Sequence, residues 1–130
     1  MKYIILFLLL VLVGCQEPVV ETKSTTKMQM IKTKDVSISI PVNIKAETIF
    51  PIKLTFPDDV TIVSSRLIGI TMDMGIIPVM FNKDDIYKGT FNAQLLVGAC
   101  TSPVMRSRLE IVWLHNGQEK YYDQVITINR

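Results

Sequence analysis

"MRSRLEIVWLHNGQEKYYDQVITIN", Met105 to Asn129, is two alternating runs folded about one tight turn. Asn-Gly suits a two-residue hairpin loop because both central residues take positive φ, which asparagine tolerates and glycine adopts freely. Pairing across Asn116-Gly117 sets His115 against Gln118. Ile111 then opposes Tyr122, Ser107 opposes Ile126 and Met105 opposes Ile128. The odd positions of 105–113 therefore form the core-facing side.

The same period of two runs back through the chain, as expected for strands with one buried face. Val36, Ile38, Ile40, Val42 and Ile44 share one side, and Thr48, Phe50, Ile52, Leu54 and Phe56 share another. Pro41, Pro51 and Pro57 mark edges and strand ends, since proline cannot donate to a ladder. A long run follows the turn at Pro57–Asp59, with Ile68, Ile70, Met72 and Met74 on one side. Beyond GIIPVMF, the turn NKDD (Asn82 to Asp85) leads into IYKGTFNAQLLVGAC. Asp58-Asp59 and Asp84-Asp85 read as turn residues, because aspartate bonds nearby backbone N–H groups. No stretch after the N-terminus has helical periodicity. About seven short strands over residues 36–130 predict an all-β, immunoglobulin-like antiparallel β-sandwich.

One segment, GACTSPVM (Gly98 to Met105), resists a simple register. If Cys100 and Met105 close a hairpin, strict pairing opposes Ile111 to Gln94 and Trp113 to Asn92, apolar against polar. A bulge at Gly98 shifts the parity, giving Leu95 with Leu109, Ala93 with Ile111 and Phe91 with Trp113. The expectation is a bulged hairpin that turns Cys100 toward the face of Met105.

The N-terminus reads MKYIILFLLLVLVGC. Its apolar run is too short to span ~30 Å of hydrocarbon as a helix, so residues 1–14 read as a signal peptide. The sequence LVGC, Leu12 to Cys15, resembles the bacterial lipobox, which implies cleavage before Cys15 and acylation of that residue. Acyl chains would hold the protein on a lipid bilayer. Gln16 in place of aspartate favours the periplasmic face of an outer membrane. Residues 15–35 are polar and read as the lipidated cysteine plus a flexible tether, leaving 36–130 as one domain.

Removing Lys2 with the signal leaves 14 − 1 = 13 basic residues against 12 acidic ones, with no basic cluster. Nucleic acid is thereby excluded as a partner. Catalysis lacks its usual parts: the single histidine, His115, lies a strand's length from Cys100, and no phosphate-binding glycine loop follows a strand. What stands out is sulfur. Cys100 is the one thiol left in a domain bound for an oxidising compartment, and Met105 is close in sequence. Met72 and Met74, two apart, would share a strand face. Thiolate and thioether are soft ligands that select Cu(I), so Met72, Met74, Cys100 and Met105 form a candidate copper site. Met28 and Met30 in the tether are candidate accessory ligands. Against this stands plain packing, for methionine fills core gaps and cysteine is often buried. In that case the protein is a structural or protein-interaction module with a partner in the envelope.

The motifs MDMGIIPVMF, IYKGTF and GACTSPVM resemble small bacterial envelope lipoproteins and, more distantly, periplasmic Ig-like domains of the YtkA-like group. Met74-Gly75 and Tyr87-Lys88-Gly89 carry the wider likeness. The resemblance implies copper handling or respiratory-oxidase assembly.

Overall fold

The computed structural model describes residues 26–130, so the signal peptide, Cys15 and the first part of the expected tether lie outside the described residues. Ten strands follow one another: β1 (Met28–Lys32), β2 (Ser37–Pro41), β3 (Ile44–Lys45), β4 (Ile49–Thr55), β5 (Thr61–Gly69), β6 (Ile76–Pro78), β7 (Asn82–Lys83), β8 (Thr90–Leu96), β9 (Val104–His115) and β10 (Gln118–Asn129). They form two five-stranded sheets, in the orders β1-β2-β4-β8-β7 and β3-β10-β9-β5-β6. The run β2-β4-β8-β7 facing β10-β9-β5-β6 follows the ABED-against-GFC order of immunoglobulin domains, with β6 in the place of an added C′ strand. The parallel pairing of β3 with β10 carries the chain from one sheet to the other directly after β2. The expected all-β sandwich is therefore present.

Two of the three strands beyond the expected seven, β3 and β7, span only two residues each, too few for a period of two to register. The third, β1, falls inside the expected tether. It pairs antiparallel with β2 from Met28↔Pro41 to Lys32↔Ser37, so Met28 and Met30 are held in a strand. Its residues are almost all exposed, and an edge strand that buries neither face shows no sustained apolar alternation to read.

The hairpin of β9 and β10 has the expected register, including Ile111↔Tyr122, Ser107↔Ile126 and Met105↔Ile128. Its turn is the mirror-image kind, with φ of 51° at Asn116 and 76° at Gly117. The hairpin expected between β8 and β9 is absent. β8 pairs with β4 and β7 in one sheet, while β9 pairs with β5 and β10 in the other. Phe91, Ala93 and Leu95 do meet the layer of Leu109, Ile111 and Trp113 as a buried core, but from the facing sheet. Phe56 shows the arrangement, its ring lying 5.8 Å from that of Phe91 and 5.1 Å from that of Trp113. No bulge forms at Gly98; the register shift among the described pairings is in β5, between Ile62 and Ser64.

Both ends of the sandwich have a distinct cast. At one, which we call the Thr26 end, the chain enters at Thr26, and the β2–β3, β3–β4, β5–β6 and β8–β9 connections gather with the C-terminus. Hydrogen bonds knit them: Val42 N to Lys27 O (2.9 Å), Glu47 N to Val97 O (2.8 Å), Ala46 N to Asn129 O (2.7 Å) and Arg130 N to Pro103 O (3.0 Å). At the other, the His115 end, lie the Asn116-Gly117 turn, the β1–β2 and β4–β5 connections and the NKDD segment.

Candidate functional site

β5 ends at Gly69, and the four residues after it leave the pleat. A Cβ on Gly69 would stand 2.0 Å from the Met72 carbonyl oxygen, so glycine alone lets that carbonyl fold back over the strand end. Met74 N donates to the same carbonyl at 3.0 Å, and Gly75 N donates to Asp73 Oδ1 at 3.1 Å. Met72 and Met74 thus lie in a tight loop and not on a shared strand face as expected. Asp73 between them is a turn former. The loop is fastened to β9 beside Met105: Ile70 N donates to Arg106 O (2.8 Å), and Arg106 N donates to Thr71 Oγ1 (3.0 Å).

Cys100 lies in the crossover from β8 to β9, also at the Thr26 end. It is a free, half-buried thiol, with Sγ 3.9 Å from Thr101 Oγ1. The four sulfur residues therefore reach one end of the sandwich, though along different routes from those expected. They differ in access. Met105 is 1% exposed and belongs to the core, directly opposite Ile128. Met74 and Cys100 are half-buried against that core, and Met72 is half-buried in its loop. A single ion reaching all four must open the core at Met105. Among the described residues no group of three or more His, Cys, Asp or Glu side chains is placed to hold a metal. Two residues along β9 from Met105, the hydroxyl of Ser107 faces inward, buried and without a hydrogen-bond partner.

His115 occupies the opposite end, its Nε2 3.2 Å from Asp58 Oδ2. Thiol and imidazole are therefore far apart, as the strand length between them required. The His115 end is rich in paired charge. Lys83 Nζ contacts Asp59 at 2.7 Å and Lys120 Nζ contacts Asp35 at 3.1 Å. Asp84 Oδ1 accepts from Ile86 N (2.9 Å) and Tyr87 N (3.0 Å), the turn role expected of it. Those two backbone donors hold the Asp84 carboxyl below its ordinary pKa, and the Lys83 bond does the same for Asp59.

Two features were not foreseen. Glu110, an even position on the side of β9 away from the core, is nonetheless only 9% exposed and accepts from Arg66 Nε at 2.8 Å, with Arg108 Nε at 3.9 Å. Arg66 comes from β5, and no local pattern announces a partner 44 residues away. On the outer face of the first sheet, Pro51, Lys53, Asn92 and Gln94 floor an open hollow of about 680 Å³ with Met28 and Met80 at its edges. Met28 and Met30 were visible as two methionines one residue apart, but only the β1–β2 pairing places them on this sheet.

No protein-family model, curated protein or solved structure matches the chain significantly.

Proposed function

We propose that the chain is a lipid-anchored protein of a bacterial envelope, whose β-sandwich is held at a membrane surface by an acylated Cys15 and acts as a binding or scaffolding module. The observation that carries this reading is the LVGC junction at Leu12–Cys15, followed after only 26 − 15 = 11 residue steps by a folded domain. Among the described residues no helix is long and apolar enough to cross a membrane. Gln16 directs the protein to the outer membrane's periplasmic face. A role without catalysis accords with the distance between Cys100 and His115, which denies the thiol a general base. Metabolic labelling with a fatty acid tests the anchor. Label on the parent and none on Cys15→Ser, with release of that variant to the soluble fraction, is the expected result; an unlabelled parent refutes it.

A second reading, Cu(I) binding, draws on one observation: the Met72–Met74 loop and the Cys100 crossover arrive at the same end, each half open. Soft sulfur ligands of this kind suit a monovalent copper ion, with Met105 joining only if the rim opens. It matches the copper handling implied by the YtkA-like resemblance. Titration with Cu(I) against a competing chelator, thiol kept reduced, decides it. The double variant Met72→Leu/Met74→Leu conserves volume and should cost under about 1.5 kcal/mol of stability while removing two thioethers. Binding that is absent in the parent, or unchanged in the variant, eliminates copper.

A further inference from the structure

The two ends of the sandwich are chemically unlike, and the anchor emerges from one of them. Thr26 is 26 − 15 = 11 residue steps beyond Cys15. Fully stretched they reach less than ~40 Å, so on the proposed anchoring it is the Thr26 end that meets the bilayer first.

That end is ringed by exposed aliphatic side chains on both outer faces. Ile49 and Leu96 are direct cross-strand partners on the first sheet, 65% and 54% exposed, with Val42 at the adjoining turn. Ile70, Ile76 and Val104 continue the ring on the second sheet. Four exposed cations stand among them: Lys27, Lys45, Arg106 and Arg130. None of the four takes part in an ion pair among the described residues; at the far end Asp35 and Asp59 are each paired with a lysine, while Lys32, Lys34 and Lys88 there are in no ion pair either. Among the described residues two side-chain carboxylates lie nearby, Glu47 and Asp73, and Asp73 accepts from Gly75 N. Between the β2–β3 turn and the start of β4 is an open hollow of about 580 Å³, lined in part by Lys27, Val42, Lys45 and Ile49. Apolar walls with two ammonium groups suit a phosphate-bearing headgroup above its acyl chains.

We propose that the Thr26 end is a membrane seat: the aliphatic ring dips into the interface and the cations hold anionic phospholipid headgroups, so the sandwich stands upright on the bilayer with its His115 end presented outward. The proposal rests on the anchoring of Cys15. It also means that the half-open sulfurs of Met72, Met74 and Cys100 face the membrane side.

The test uses the full acylated chain in vesicles of phosphatidylethanolamine and phosphatidylglycerol containing a headgroup-nitroxide lipid. A fluorophore is placed at Ile49→Cys or at Gln118→Cys, each in a Cys100→Ser background, and Cys15 acylation is read by mass spectrometry of the same sample. The Ile49→Cys label should be quenched at least about twofold more than the Gln118→Cys label, as expected for side chains that sit in the interface. Replacing phosphatidylglycerol with phosphatidylcholine, or introducing Lys27→Glu with Lys45→Glu, should shrink that difference. Equal quenching of the two labels on a chain with acylated, vesicle-bound Cys15 overturns the seat and leaves the anchor standing. A chain whose Cys15 carries no lipid overturns the anchor and the seat together.

Discussion

The His115 end and the Thr26 end of the sandwich are built from the same kinds of connection but spend their polar groups differently. Around His115, ion pairs join Asp59 and Asp35 to Lys83 and Lys120, and Asp58 Oδ2 lies 3.2 Å from His115 Nε2. Around Thr26 the cations are in no such pairs and the backbone does the binding, through cross-connections such as Glu47 N to Val97 O. The pairing at the His115 end is incomplete, since Lys32, Lys34 and Lys88 there are in no ion pair among the described residues, but two of its aspartates are neutralised by lysines within the fold. An end that leaves four cations and a ring of aliphatic side chains in the open is suited to a second surface, and it is also where the chain toward Cys15 departs.

The sharpest way to probe the contrast is to ask which sulfur residues the fold needs. Met105→Ala removes a sealed core side chain and should cost about 2–5 kcal/mol in denaturant unfolding, while Met72→Ala, half open in its loop, should cost far less. Similar losses at both would mean that the loop is as much core as β9, and the picture of a half-open rim would break. Next in size is Gly69→Ala. The added methyl meets the Met72 carbonyl, so the loop must move, at a cost of about 1–3 kcal/mol, with altered amide shifts confined to residues 69–75 and the facing part of β9. A neutral substitution would show that the loop does not fold back as described.

A smaller effect of opposite sign is expected at Ser107. Its buried hydroxyl has no partner, so Ser107→Ala should stabilise the domain by about 1 kcal/mol in the same assay. Destabilisation would show that the hydroxyl is bonded in solution. The last prediction concerns the His115 end alone. Asp84 has its carboxyl pKa lowered from 3.8 by the backbone N–H groups of Tyr87 and Ile86, so the ionised form is the one favoured by folding. Its contribution is complete above the unfolded value and disappears as pH falls through the lower folded value. The difference in melting temperature between the parent and Asp84→Ala should therefore hold steady from neutral pH to about 4 and narrow below it. A gap that widens on acidification would contradict the bonding at this turn.

Much of the inward and outward parity was legible. Ile38, Ile52, Leu54, Ile111 and Ile128 are buried, as their alternation required. The exceptions sit at ends: Val42 and Ile70 belong to alternating sets yet are exposed, because their strands stop before them. The failure between β8 and β9 has a different origin. Phe91, Ala93 and Leu95 can match Leu109, Ile111 and Trp113 either side by side in one sheet or face to face across two. Parity is identical in both, so the pattern favoured a hairpin that the fold does not make. For the candidate site, the residue types and the inward side of Met105 were readable from the β9–β10 register, but the loop that carries Met72 and Met74 was not.

From the sequence alone came the lipobox reading, the all-β class, the Asn116-Gly117 turn and the complete β9–β10 register, because each depends on residues close together in the chain. Tertiary structure decided which sheet each strand joins, that Met72 and Met74 sit in a loop, where Glu110 finds Arg66, and that the aliphatic and cationic side chains of six separate segments share one end. Those outcomes depend on contacts between distant residues, whose free energies no local period or turn chemistry encodes.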